Sequence, residues 1–261
     1  MFGQQLNLGH WSTDGLIFYW RGIEAGNVVD ESFYRNHGTI TGATWEGNGL
    51  LFDGNEDFVD LGTSFLPGLF TVSIEMIFTP SSSGSIMLAE DGTTSNLNAH
   101  LLLVEDNIVK FLIHNGTLDI GNGGTTIVPG TTYHVVGTWR AGEYPKVYIN
   151  GIIDTASTTG STPTGGALQS ANTNLAIGGR PANTNTPITS VTFDYAGTIS
   201  TVRYYNRVLS ASEIAALNIN PDLPMQQEPL VWLGQAPVGG TTPKGPLGHP
   251  LYGPLAGPIA C

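Results

Sequence analysis

Four acids, Asp53, Glu56, Asp57 and Asp60, fall within one eight-residue stretch of LLFDGNEDFVDLG. Their hard oxygens are the donor type that Ca²⁺ recruits, about six to eight at a time. Around Gly54 and Asn55 the same acids also read as solvated turn carboxylates. A second set, Tyr34, Asn36, His37, Asn96 and Asn183, sits in segments that read as loops. An aromatic face with amides and an imidazole beside it can hold a sugar, although Asn is also a common turn residue.

Catalytic patterns are missing. Glycoside hydrolysis needs two carboxyl groups ~5–10 Å apart, and no strand-like run carries Glu-x-Asp or an equivalent. Glu90-Asp91 and Glu105-Asp106 are adjacent, so in a strand they point to opposite faces. The six histidines, His10, His37, His100, His114, His134 and His249, show no metal-ligand spacing. Cys261 is the single cysteine, which excludes an intrachain disulfide and a CxxC site. There is no Gly-x-Ser-x-Gly elbow, and IGNGGTT at 120–126 lacks the lysine of a phosphate loop. An enzyme is not expected.

Charge narrows the partners. Nine Lys+Arg against 21 Asp+Glu leave a formal charge of −12, with only three lysines. That is not the basic footprint that phosphate neutralisation requires, so nucleic acid is excluded. No run approaches 18 apolar residues, so no membrane span is expected. The opening MFGQQLNLGHWSTDG has neither a basic start nor the apolar run of a signal peptide, which implies synthesis and folding in a reducing cytoplasm.

The elements that must position these residues are strands. At least nine short apolar or alternating runs recur between Gly, Asn, Ser and Thr clusters, among them GLIFYW (15–20), HLLLVED (100–106), NIVKFLIH (107–114) and YHVVGTW (133–139). In FTVSIEMIF, Phe70, Val72, Ile74, Met76 and Phe78 share one face, and Thr71, Ser73 and Glu75 the other. A period of two belongs to a half-buried antiparallel strand, and many such runs argue a sandwich or barrel. Asn150-Gly151 between β-branched residues is a strong hairpin signal. With 35 Gly, 16 Pro and only 11% charged residues, the chain favours many turns and few helices. One short helix is expected, where Ser210-Ala-Ser-Glu213 forms a capping box ahead of IAAL and Pro221 stops any continuation. The fold class is all-β.

From Pro221 onward the composition changes. This stretch holds nine of the sixteen prolines and only three charged residues, Asp222, Glu228 and Lys244. It ends in PLGH PLYG PLAG PIAC, a four-residue repeat with Pro246, Pro250, Pro254 and Pro258 in step. Ordinary disordered linkers are polar and charged, whereas this one is apolar and nearly neutral. Trp232, Leu247, Leu251, Tyr252, Leu255 and Ile259 are therefore expected to form an extended arm that orders only against another protein surface. Burying such side chains returns about 1.5–3 kcal/mol each, comparable to the backbone entropy lost, so docking needs a ready-made groove.

Several segments together carry a family resemblance. GLIFYWRGIEAGNVVDESFYRNHGTITGATW, LLFDGNEDFVDLG and FTVSIEMIFTP are succeeded by YHVVGTWRAGEYPKVYINGIID, NLAIGGRP and FDYAGTISTVRYYNRVLSASEIAAL. In that order they resemble a laminin-G-like, concanavalin A-like jelly-roll domain over about residues 14–217. The resemblance implies a jelly-roll β-sandwich at 14–220, with an N-terminal segment at 1–13 and the Pro/Gly-rich arm at 221–261. It places Trp20, Trp45 and Trp139 among core or hairpin aromatics. Related domains often hold calcium near the turn, where Asp53 and Asp57 would be ligands. Ser200 and Thr201 stand where the family carries an Asp-Glu pair, so no cofactor is the leading expectation.

This fold serves sugar binding, adhesion and structural roles alike. Phage proteins similar to this one pass from an AEIAAL-like helix into an Asn-Pro segment, here Asn220-Pro221. The expected function is a non-catalytic structural protein of a virus particle surface, a tailed-phage capsid decoration or head-fibre protein. Assembled in the host cytoplasm, it would hold capsid or other virion proteins through its arm and self-associate. The alternative is a carbohydrate-binding adhesin or lectin module, extracellular or on a phage tail, with a cell-surface glycan as partner.

Overall fold

A computed structural model describes residues 6–23, 26–66, 68–69, 71–81, 100–114, 118–160, 163, 165–168, 174–182 and 187–226, and the backbone of 86–91. Strands dominate, stacked as two eight-stranded antiparallel sheets. The first sheet runs Ile152–Ile153, Lys146–Ile149, Tyr133–Arg140, Thr71–Pro80, Ala196–Tyr205, Gly49–Asp53 and Thr44–Glu46. Leu16–Trp20 also pairs with Ala196–Tyr205. The second runs Thr155–Gly160, Leu118–Gly123, Ile108–His114, His100–Glu105, Ile86–Asp91, Asn174–Ile177, Phe58–Thr63 and Thr39–Thr41. The all-β sandwich expected from the alternating runs is the fold observed.

Its core lies between the sheets. Val72, Ile74, Met76 and Phe78 on one side face Leu102, Val104, Val109, Phe111 and Ile113 on the other. Trp20 and Trp139 are buried in this layer, and Trp45 packs against it, as the resemblance implied. Alternation alone misplaces two residues: it puts Ser73 and Glu75 on a polar outer face, yet both are wholly buried. The reason is a second apolar layer outside the first sheet, in which Leu209, Ile214, Leu217 and Met225 cover Tyr19, Val136 and Tyr205.

The cover is the expected helix, Ala211–Ile219. Ser210 Oγ accepts the Glu213 N–H, and Glu213 Oε2 accepts the Ser210 N–H at 2.7 Å, so the capping box closes. Arg207 Nη2 lies 2.9 Å from Glu213 Oε1 and ties the box to the strand before it. Asn150 and Gly151 both adopt positive φ, as a two-residue hairpin turn requires.

One compact unit ends at Gln226, beyond the expected boundary at 220. Two anchors explain the extension: Arg203 holds the Pro221 carbonyl, and Met225 is buried. Residues 6–13 belong to the same packing, with Leu6 and Trp11 set against it. Asn7 donates its backbone N–H to the Pro224 carbonyl at 2.8 Å and its Nδ2 to the Gln226 carbonyl at 2.9 Å. The arm residues Trp232, Leu247, Leu251, Tyr252, Leu255 and Ile259 lie outside the described residues.

Candidate functional site

Asp30 is wholly buried and organises the loop 30–37. Its Oδ1 accepts the Tyr19 N–H at 2.9 Å and the Ser32 N–H at 2.8 Å. Its Oδ2 accepts the Ser32 hydroxyl at 2.8 Å and the Asn36 N–H at 2.7 Å. Asn36 Nδ2 donates to the Ile17 carbonyl at 3.1 Å, and His37 Nδ1 accepts the Asp30 N–H at 3.1 Å. Two expected sugar-binding residues, Asn36 and His37, therefore brace the loop. Tyr34 stands out from it, 59% exposed, beside Phe33 at 81%.

The Phe33 and Tyr34 rings meet edge to face with centroids 6.2 Å apart. Next to them is a recess of about 260 Å³, lined by Leu6, Glu31, Phe33, Arg35 and Met225. Sequence reasoning missed Phe33 because a lone Phe in a strand-rich chain reads as core. The available signal was its place between the loop-forming Asp30 and Asn36. Asn96 and Asn183 lie outside the described residues.

The acidic turn brings Asp53 and Asp57 together around backbone N–H groups. Asp57 Oδ2 accepts the Asp53 N–H at 2.7 Å, and Asp53 Oδ1 the Asn55 N–H at 2.8 Å. Asp60 accepts the Gly62 and Ile188 N–H groups, and Glu56 that of Val191 at 3.2 Å. Among the described residues no three His, Cys, Asp or Glu side chains cluster as metal ligands. Burial, and then the neighbouring Asp53 and Asp194 charges, push the Asp57 carboxyl above its usual range despite the Asp53 N–H. Burial likewise raises Asp194, with Glu56 and Asp53 adding to it.

A cleft of about 470 Å³ on the outer face of the first sheet was not anticipated. It forms where Ala196–Tyr205 carries an irregularity, its register against Thr71–Pro80 slipping between Ile199 and Thr201. A bulge re-aims side chains locally, and here consecutive residues, Ser200 and Thr201, both line the cleft. Ile77, opposite Thr201 on the neighbouring strand, adds an apolar side chain to the lining. Arg21, Asn48 and Asp222 contribute polar walls from three other segments. Gly22, at φ +66, lets these segments close: a Cβ there would fall 2.3 Å from the Asn48 carbonyl oxygen and 2.4 Å from that of Ser200.

Arg21 Nε donates to Glu31 Oε1 at 2.8 Å, with the two side chains only 13% and 19% exposed. Arg21 lines the cleft and Glu31 lines the recess, so one ion pair stands between the two hollows.

Deeper on the same face, Glu75 and Arg203 form a fully buried ion pair. His134 Nε2 lies 3.1 Å from the same Glu75 oxygen. Arg203 also donates to the Tyr19 hydroxyl at 2.9 Å and to the Pro221 carbonyl. Burial pushes Glu75 up, but the Arg203 guanidinium and then His134 outweigh it and hold the carboxyl below its ordinary value. A carboxylate so fixed anchors structure and is poorly placed to donate a proton. Glu105 and Asp106 share Lys110 on an exposed turn, at 2.8 and 3.0 Å.

The family model for the concanavalin A-like lectin/glucanases superfamily matches residues 53–215. No curated protein sequence matches the chain. Among solved structures, Trypanosoma rangeli sialidase in complex with 2,3-difluoro-KDN is similar over 82% of this chain, with 20% identity and a TM-score of 0.58. The chain spans only 34% of that sialidase. Domain 4 of an extracellular arabinanase from Geobacillus stearothermophilus, in complex with arabinotriose, is similar over 78% of this chain and 98% of its own, with 17% identity and a TM-score of 0.57. The receptor binding domain of botulinum neurotoxin C/D mosaic serotype covers 81% of this chain and 52% of its own, with 12% identity and a TM-score of 0.59. At these identities the likeness is one of fold. Matched by the family model over more than half of its length, the chain belongs to the concanavalin A-like lectin/glucanase superfamily.

Proposed function

We propose that this protein is a non-catalytic carbohydrate-binding module whose ligand occupies the sheet-face cleft. The observation that carries this reading is the bulge at Ser200-Thr201, which brings two consecutive hydroxyl-bearing residues into the lining of one cleft together with the apolar Ile77. A volume of about 470 Å³ falls within the ~300–1,000 Å³ of small-molecule sites, which combine apolar walls with a few placed polar groups. Asn48, Arg21 and Asp222 supply donors and acceptors suited to sugar hydroxyls. The arabinanase domain solved with arabinotriose lends support through its shared fold.

The test is a glycan array that includes arabino-oligosaccharides, then calorimetry on the best binder. Combining Asn48→Ala with Thr201→Val should weaken binding about ten-fold, as expected for two lost hydrogen bonds of ~0.5–1.5 kcal/mol each. A blank array, or a double variant binding as tightly as the parent, would overturn the reading.

A second reading is favoured by the Pro-Leu repeat of residues 246–259. On it the protein is a virion surface component, a tailed-phage decoration or head-fibre protein, and residues 227–261 anchor it to capsid proteins or to further copies of itself. Display outside the cell serves both readings. Deleting 227–261 should abolish attachment to particles while leaving sugar binding intact. Attachment that survives the deletion would remove the anchoring role.

A further inference from the structure

Phe33 and Tyr34 pose a physical problem. An aromatic side chain carries a large apolar surface, and these two leave 81% and 59% of theirs in water. Single exposed apolar residues need no explanation. This is a touching pair, however, on a loop tied down by four hydrogen bonds to the buried Asp30. The loop thus presents its rings already in place, and a ligand meeting them loses little to ordering. The recess beside them shares the Arg21–Glu31 ion pair with the sheet-face cleft.

Resting on the cleft as a sugar site, we infer that Phe33 and Tyr34 form a stacking subsite for a further unit of the same chain, so that the ligand is a neutral oligosaccharide spanning both hollows. Among the described lining residues each hollow holds one base and one acid, Arg35 with Glu31 and Arg21 with Asp222, so these side chains balance in charge. The whole chain carries −12, which disfavours the approach of anionic glycans. Sugar rings offer C–H faces to the aromatic pair and hydroxyls to Ser200, Thr201 and Asn48. One ligand class satisfies both surfaces.

The experiment is calorimetry of the full chain with mono- to hexasaccharides of the arabinan, xylan and cellulose series, with sialyllactose and a heparin hexasaccharide as anionic arms. In the series that binds, affinity should rise at least ten-fold between the shortest ligand and the hexasaccharide. The variant F33A/Y34A, altered only at exposed positions, should retain the short ligand and lose that gain. Thr201→Val combined with Asn48→Ala should weaken every length alike. A hexasaccharide bound equally by F33A/Y34A and the parent would overturn the stacking subsite while leaving the cleft reading intact. Loss of every ligand in F33A/Y34A, with the cleft variant unchanged, would place the whole site on the loop and overturn the two-part ligand. Preference for an anionic arm would overturn neutrality, and no binding at all would remove both readings together.

Discussion

Replacing Arg203 with methionine would leave the Glu75 carboxylate buried beside His134 without its guanidinium partner. Breaking a buried pair costs about 3–5 kcal/mol because the remaining charge is uncompensated. Urea unfolding of Arg203→Met at neutral pH should show a loss of that size. Because Glu75 titrates below its ordinary value when folded, its stabilising contribution is present above pH ~4.5 and fades as pH falls through the folded value. Asp57 has the opposite sign: its raised pKa means that its contribution falls as pH climbs above the ordinary carboxylate range. Asp57→Asn keeps an acceptor for the Asp53 N–H and should therefore exceed the parent in stability at pH 7, but not at pH 3.5. Equal stability at pH 7 would show that the crowding is harmless. The acids themselves were legible in the sequence; their partners were not. Ile188 and Val191, which claim Asp60 and Glu56, arrive from more than 120 residues away.

Local elements announced themselves wherever one signal sufficed. Ser210-Ala-Ser-Glu213 specified a cap and the structure closes it. Ser210→Ala should accordingly cost about 1 kcal/mol, read as a lowered thermal midpoint, and an unchanged midpoint would show that the helix is held by packing alone. Asn150-Gly151 specified a turn in the same way. The bulge at Ser200-Thr201 was illegible because a strand read in period two has no place for an extra residue, so the register slip appears only against Ile77 across the ladder. Ser73 and Glu75 misled for a related reason. Their polarity matches an outer face, but that face is roofed by Ile214 and Leu217 from a helix more than 130 residues downstream.

For the molecule as a whole, the count and spacing of strands were enough to require a sandwich, while the reach of its packing past Pro221 was hidden. Pro221 marks the end of helical character in sequence, yet the buried Met225 and the Arg203-held carbonyl carry the packing to Gln226. Burying a methionine contributes ~1.5–3 kcal/mol. A chain ending at Asn220 should therefore melt about 5 °C or more below one ending at Gln226. Equal midpoints would show that residues 221–226 merely rest on the surface.

Asn7 bonded to Pro224 and Gln226 means that residues 6 and 226, the two ends of the described polypeptide, lie close together. Such a layout is indifferent to the place at which the covalent backbone is interrupted. A permuted gene, with residue 226 joined to residue 6 through a few glycines and new ends opened in the exposed turn at Gly142, should yield the same two sheets. It would also allow the sandwich to be spliced into a surface loop of an unrelated host protein, both tethers leaving from a single corner.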